Sequence, residues 1–274
     1  MSPGNPLERS VILIDKPEGL TSFGVVEKVS GLLGISKAGH AGTLDPNATG
    51  VMVIALGEAR KAMPVLMGLD KEYVGVMRLH GDVENRQLKK TIKSFTGEIT
   101  QVPPVKSRVA RKPRKRRVHE IEILGSEGRD VTFRVVCQAG TYIRKLAHDI
   151  GEKLGTGAQL TELRRTKAGP FGIGECVRIG ELDNTPKAKA KKSMMPLEKA
   201  LDRIGLPKIT IKDEYEAKIR NGSPVRKEFV NSIDKHAREG AYVGIFNENK
   251  KIIALGKFLS KSQACASTER VFNL

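Results

Sequence analysis

The stretch Gly39-His40-Ala41-Gly42-Thr43-Leu44-Asp45-Pro46-Asn47-Ala48-Thr49-Gly50 offers one carboxylate in a setting that could do chemistry. Its glycines let the backbone approach a ligand closely, and Pro46 holds Asp45 extended, so the carboxylate stands on a loop between two elements. A fixed carboxylate can take a proton or attack an electrophilic carbon. An Asp-Pro pair serves equally well as a plain structural turn. Three further segments carry groups that could complete a site: Lys71-Glu72-Tyr73, Gly140-Thr141-Tyr142-Ile143-Arg144 and Leu163-Arg164-Arg165-Thr166.

Other chemistries find little support. Cys137, Cys176 and Cys265 are far apart and form no C-x-x-C pair, which argues against a disulfide framework or zinc knuckle and for small core residues. The histidines, His40, His80, His119, His148 and His236, show no H-x-x-x-H pairing, so no metal site is expected. Neither a Walker loop nor a complete G-x-G-x-x-G is present, and nucleotide cofactors drop out. No stretch approaches the roughly 18 uninterrupted apolar residues of a membrane span. Met1 to Pro6 lack the basic start and apolar h-region of a secretory signal. A soluble, cytoplasmic protein is the expectation.

The chain of 274 residues has 48 Lys and Arg against 31 Asp and Glu, a net charge of +17. Such an excess asks for a polyanion, nucleic acid or an anionic membrane surface. Residues 1–185 carry 29 basic and 21 acidic side chains, and residues 186–274 carry 19 and 10, so the shorter part is the more basic per residue. The densest run, Lys106, Arg108, Arg111, Lys112, Arg114, Lys115, Arg116 and Arg117, is interrupted by Pro113. Proline and self-repulsion argue against a membrane-lying helix there. A flexible basic loop gripping phosphates is expected, with a solvated charge run as the plainer alternative.

The elements that must position these residues are legible as periodicity. Val11-Ile12-Leu13-Ile14 reads as a buried strand entering a turn at Asp15-Lys16-Pro17-Glu18-Gly19. Thr21 or Ser22 then caps a helix with Phe23, Val26, Val29 and Leu33 on one face, ending at Gly34. Residues 36–50 read as a long loop, followed by strands at Val51–Leu56 and Tyr73–Leu79. Glu84–Phe95 reads as a helix, Val118–Leu124 and Val131–Gln138 as a hairpin, and Thr141–Leu154 as a helix stopped by Gly155. The mixture predicts an α+β fold on a mostly antiparallel sheet. Asn184 to Ser193 has linker composition, Leu197–Ile204 reads as a helix, and short strands at Ile209, Val225, Tyr242–Phe246, Ile252–Phe258 and Val271 form a small β-rich module.

Taken in order, several motifs resemble the TruB family of pseudouridine synthases: Asp15-Lys16-Pro17 with Gly19, Thr21 and Ser22; Gly39-His40 through Asp45-Pro46; Lys71-Glu72-Tyr73-Val74; Ala139 to Arg144; and Leu163 to Thr166 with Gly169-Pro170-Phe171. The resemblance runs from about residue 10 to 183. Leu79-His80-Gly81-Asp82-Val83, Val102 to Ser107 and Glu162 to Thr166 are similar to the archaeal and eukaryotic H/ACA branch, the dyskerin relatives. Ile209-Thr210-Ile211, Ile219 to Gly222, Glu239 to Val243, Ala254-Leu255-Gly256 and Glu269 to Phe272 resemble a PUA domain, a small RNA-binding β-barrel. The implied organisation is a catalytic domain at 1–185, a linker and helix at 186–204 and a PUA domain at 205–274. Two departures stand out. The chain reaches Val11 with a shorter N-terminal arm than that branch usually has, and Phe23-Gly24 replaces the commoner His-Glu.

The resemblance implies isomerisation of uridine to pseudouridine in RNA, with no metal or nucleotide cofactor. It makes Asp45 the essential carboxylate, either attacking C1′ or removing the 2′ proton, and pairs it with Arg144, whose guanidinium favours the ionised form and fixes its direction. It places Tyr73 against the flipped uracil, Tyr142 and Leu163 in the pocket wall, and His40 beside the flipped base. Lys16 and Pro17 are expected to be structural. The expected partners are a box H/ACA guide RNA, rRNA, with tRNA as a further candidate substrate, and the ribonucleoprotein's other proteins, with no membrane. The setting would be cytoplasmic in an archaeon and nucleolar in a eukaryote. A guide-independent synthase acting on the tRNA T-loop and a catalytically silent RNA scaffold are the competing expectations.

Overall fold

The computed structural model describes residues 6–103, 112–183, 193–260 and 263–273. Its centre is β1 (Ser10–Lys16), a run too apolar to face water on either side. Val11 and Leu13 point into one core and Ile12 and Ile14 into another, so the strand is buried on both faces. The same alternation splits β3 (Thr49–Leu56), which lies antiparallel to β1. Between them come α1 (Ser22–Leu33) and β2 (Ala38–His40), the latter a short strand on β3 inside the stretch expected to be loop. Thr21 caps α1 by accepting from Gly24 N at 2.9 Å. Phe23 departs from the expected buried face. It is 67% exposed, because Val25, with Val26, Val29 and Leu33, takes the core side.

After α2 (Met63–Met67), β4 (Lys71–Leu79), α3 (Asn85–Lys93), β5 (Gly97–Gln101), β6 (Arg114–Glu127), β7 (Asp130–Cys137), α4 (Ile143–Leu154) and β8 (Ala158–Ala168) build the other half of the sheet. The strands run in the order β1-β3-β8-β4-β7-β6-β5. Only the short contact of β3 with β8 among these is parallel. The hairpin of β6 and β7 turns where expected, and α4 ends on Gly155 in the left-handed conformation. The basic run is corrected in part. Arg114, Lys115, Arg116 and Arg117 are strand, paired with β5, because the long hairpin partner β7 draws β6 into the sheet. Lys112 is exposed and irregular, while Lys106, Arg108 and Arg111 lie outside the described residues.

Beyond β9 (Phe171–Gly172), β10 (Val177–Arg178) and α5 (Ile179–Asp183), the expected linker lies outside the described residues up to position 192. β11 (Met194–Pro196) pairs with β1, and α6 (Leu197–Arg203) buries Leu197, Ala200 and Leu201. The remaining chain forms β12 (Lys208–Ile211), α7 (Glu216–Arg220), β13 (Val225–Arg226), β14 (Val230–Ile233), β15 (Tyr242–Phe246), β16 (Ile252–Lys257), β17 (Ala264–Ala266) and β18 (Arg270–Val271). A five-stranded sheet runs in the order β14-β12-β15-β16-β18, and β13 pairs with β17. Leu206, Phe246, Ile252, Leu255 and Phe272 share one core with Val11, Leu13 and α6. No helix among the described residues is long and apolar enough to cross a membrane.

Candidate active site

The loop that bears Asp45 is held from below. Ser22, the first residue of α1, donates its hydroxyl to Leu44 O and accepts from Leu44 N, both at 2.8 Å. Lys16, fully buried at the end of β1, donates its ammonium to Pro17 O and Pro46 O at 2.8 Å and to Ala48 O at 2.6 Å. Burial pushes the Lys16 ammonium down in pKa, opposed by the Asp45 charge. Lys16 is therefore structural, as expected, and it spends all three donors on carbonyls of the turns around Asp45.

The Asp45 side chain, held this way, is 44% exposed and meets a fork. Arg144 Nε lies 2.8 Å from Oδ2, and Nη2 donates to Oδ1 at 3.0 Å. Arg144 sits in the first turn of α4, 99 residues away in sequence. A bidentate guanidinium fixes the plane and direction of the carboxylate, which a lysine could not do.

Within reach of the Asp45 charge, Tyr73 on β4 is 8% exposed, and Arg165 on β8 is 1% exposed. The two residues face each other in the strand register. Burial raises the pKa of the Tyr73 phenol, and Arg165, to which it is hydrogen-bonded, pulls the other way. Arg165 spends its guanidinium on Val51 O at 2.6 Å and Gly42 O at 3.1 Å. Lys71, also buried, donates to Met67 O at 2.9 Å and Leu69 O at 2.5 Å. Burial first, and then Arg165, push its ammonium down to about 8.

The structure pairs Asp45 with Arg144 and sets Tyr73 within reach of the Asp45 charge, with Leu163 packed against the core cluster that holds Tyr73 and Leu44. Tyr142 stands half-buried at the start of α4. His40 is half-buried on β2, and burial followed by Arg165 lowers its pKa, which favours the neutral imidazole. Its Nδ1 is buried without a hydrogen-bond partner. Arg164 turns elsewhere, tying β8 to Asp15 at 2.7 Å and to Thr49 at 3.1 Å. Sequence reasoning gave no role to Arg165 or Gln101. An arginine inside an Arg-Arg pair looks like surface charge, and two register shifts in the pairing of β8 with β4 hide its inward-facing position from simple strand alternation. No group of three or more His, Cys, Asp or Glu among the described residues is arranged to hold a metal ion.

The basic strand lies beside this site. Arg116 packs over Gly140 in the turn before α4, and Arg117 exchanges hydrogen bonds with Gln138 in the same turn. Lys115 is paired with Glu98 at 2.8 Å.

Residues 31–143 match the model of the TruB family pseudouridylate synthase N-terminal domain, and residues 144–204 match that of the tRNA pseudouridylate synthase B C-terminal domain. A curated relative named "Probable tRNA pseudouridine synthase B", from Methanopyrus kandleri, is 42% identical, covering 90% of this chain and 75% of the relative. Another of the same name, from Korarchaeum cryptofilum, is 40% identical, covering 97% of this chain and 86% of the relative. A chain of the solved structure titled "Crystal Structure of a Cbf5-Nop10-Gar1 Complex" superposes with a TM-score of 0.88 at 38% identity, over 97% of this chain and 86% of that one. A chain of "Structure of H/ACA RNP bound to a substrate RNA containing 2'-deoxyuridine" superposes at 0.85 with 37% identity, over 98% and 86%.

Proposed function

Because the chain belongs to the TruB family and is a pseudouridine synthase, we propose that it isomerises uridine in rRNA as the catalytic subunit of a box H/ACA guide ribonucleoprotein. The observation that carries the site assignment is the forked Arg144–Asp45 pair, whose charge reaches the buried Tyr73–Arg165 pair. The reaction breaks the N1–C1′ bond, turns the uracil and joins C5 to C1′. C5 loses a proton and N1 gains one, so the change is redox-neutral.

Asp45 either attacks C1′ or removes the 2′ proton, and the half-exposed, forked carboxylate suits both. Arg144 fixes its plane and aim. The target nucleotide has to leave its stack, at a cost of a few kcal/mol. Tyr73 then meets the uracil face as a neutral phenol, with Tyr142 and Leu163 as walls and neutral His40 beside the vacated stack. Arg114 to Arg117 on β6 hold RNA phosphates, and the C-terminal five-stranded sheet acts as a PUA domain gripping the RNA.

The guided reading is supported by the superposition on the chain of the Cbf5-Nop10-Gar1 complex across nearly the whole length. On this reading the partners are a guide RNA and the ribonucleoprotein's other proteins. The name shared by the curated relatives favours a second reading, activity on tRNA without a guide. Tritium release from 5-³H-uridine RNA separates them. Release from an rRNA target only with a matching guide and partner proteins is the expected result. Release from a tRNA transcript by the protein alone would favour the second reading. RNA binding without release in any mixture would leave a scaffold and overturn both.

A further inference from the structure

Gln101 is only 2% exposed although it ends β5, the edge strand of the large sheet. A buried carboxamide needs partners for both its N–H and its C=O groups. A single residue supplies them: Nε2 donates to Tyr142 O at 3.1 Å, and Oε1 accepts from Tyr142 N at 3.0 Å. The amide pairs with Tyr142 as a neighbouring strand would, fixing both the position and the tilt of the main chain there. Tyr142 is the N-cap of α4, and its own side chain makes no capping bond. Arg144 follows in the first turn of that helix, with its fork on Asp45.

The turn before Tyr142 is joined to the same pair of strands. Gln138 N donates to Arg117 O at 2.8 Å, Arg117 N donates to Gln138 Oε1 at 3.2 Å, and a Cβ on Gly140 would come within 3.1 Å of the Arg116 guanidinium. The segment that launches α4 is thus mounted on β5 and β6, and β6 carries the basic run.

We infer that Gln101 is a positioning residue for the isomerisation: its carboxamide sets the Tyr142 peptide and thereby aims Arg144 at Asp45. This rests on the reading of Asp45 and Arg144 given above. A helix transmits a displacement of its N-cap to the next residues with little loss, and a forked ion pair tolerates little displacement before one of its bonds is broken.

The test uses the full chain in whichever RNA mixture supports wild-type turnover. Gln101→Leu removes both hydrogen bonds at similar volume. Gln101→Glu keeps an acceptor for Tyr142 N–H but sets a carboxylate against Tyr142 O. Single-turnover rate, RNA Kd and Tm are measured for each variant, alone and combined with Arg144→Ala. The rate is expected to fall on the order of ten- to a hundred-fold, with RNA Kd changed by less than about twofold. In the Arg144→Ala background the further loss should be small, because the clamp acts through that helix start. Losses that multiply in the double variant, or a wild-type rate in a folded Gln101 variant, would overturn the inference. If Gln101→Leu does not fold, Gln101→Glu decides by the same cycle. Failure of the underlying site reading has a different signature, an Asp45→Asn protein that still turns over.

Discussion

Around Asp45 the polar side chains divide into those that face solvent and those that hold the loop. Asp45 and Arg144 are half exposed, whereas Lys16, Lys71 and Arg165 are buried cations whose donors go largely to backbone carbonyls. Lys71 allows a pH test. Its folded value of about 8 lies below the ordinary lysine value of 10.5, so between these values the unfolded chain holds a proton that the folded chain has shed. Stability should therefore rise with pH through that window. Relative to Lys71→Met, the wild type should gain about 3 kcal/mol at most, measured by urea denaturation from pH 7 to 11. A pH-independent difference would contradict it. At this scale the ordered motifs of the sequence singled out Asp45, Arg144 and Tyr73 as candidates, and the structure pairs the first two in a fork and gives Lys16 its structural bonds. It could not identify Arg165 or Gln101, whose roles arise from bonds to residues 114, 123 and 41 positions away.

The elements bring these residues together through close backbone approach. β3 meets β8 only at Thr49 and Gly50, which pair with Arg164 and Arg165, and this short contact joins the two halves of the sheet beside the Asp45 loop. Gly50 has φ of 106°, and a Cβ there would lie 2.2 Å from Arg165 O. Gly50→Ala should destabilise the fold by about 3 kcal/mol through strain and clash, read as a lowered urea midpoint. A midpoint within error of wild type would show that the two strands can part without consequence. Element type was legible wherever periodicity was clean: β1, β4, the hairpin of β6 and β7, and α4 follow the pattern of their apolar residues. Phe23 was misjudged because Val25 competes for the same helix face, and β2 was hidden because Ala38-Gly39-His40 has loop composition.

Across the whole molecule, the C-terminal sheet is part of the fold of the catalytic half. Phe272, fully buried, packs in one core with Val11, Leu13 and Leu201, and Asn273 N donates to Glu58 at 2.8 Å. Phe272→Ala should cost about 3–5 kcal/mol and lower the melting of the entire chain in one calorimetric transition. A separate early transition confined to the C-terminal sheet would contradict this. Composition could not show that α6 is buried, because its apolar positions are few and its partners lie on β1 and β16. The charge of +17 sets the expectation of a polyanion, and β6 places part of that charge next to α4. Replacing Arg114 and Arg117 by Ala should weaken RNA binding and reduce the slope of log K against log salt by about 1.4. An unchanged slope would remove the strand from the RNA contact.

The most direct test of the account is the single-turnover rate of tritium release from 5-³H-uridine RNA by Asp45→Asn, with RNA Kd measured on the same preparation. With the proposed roles, the carboxylate for chemistry and the basic strand for RNA, a loss on the order of 10³-fold or more is expected with binding retained. Turnover within about tenfold of wild type would show that the chemistry lies with another group.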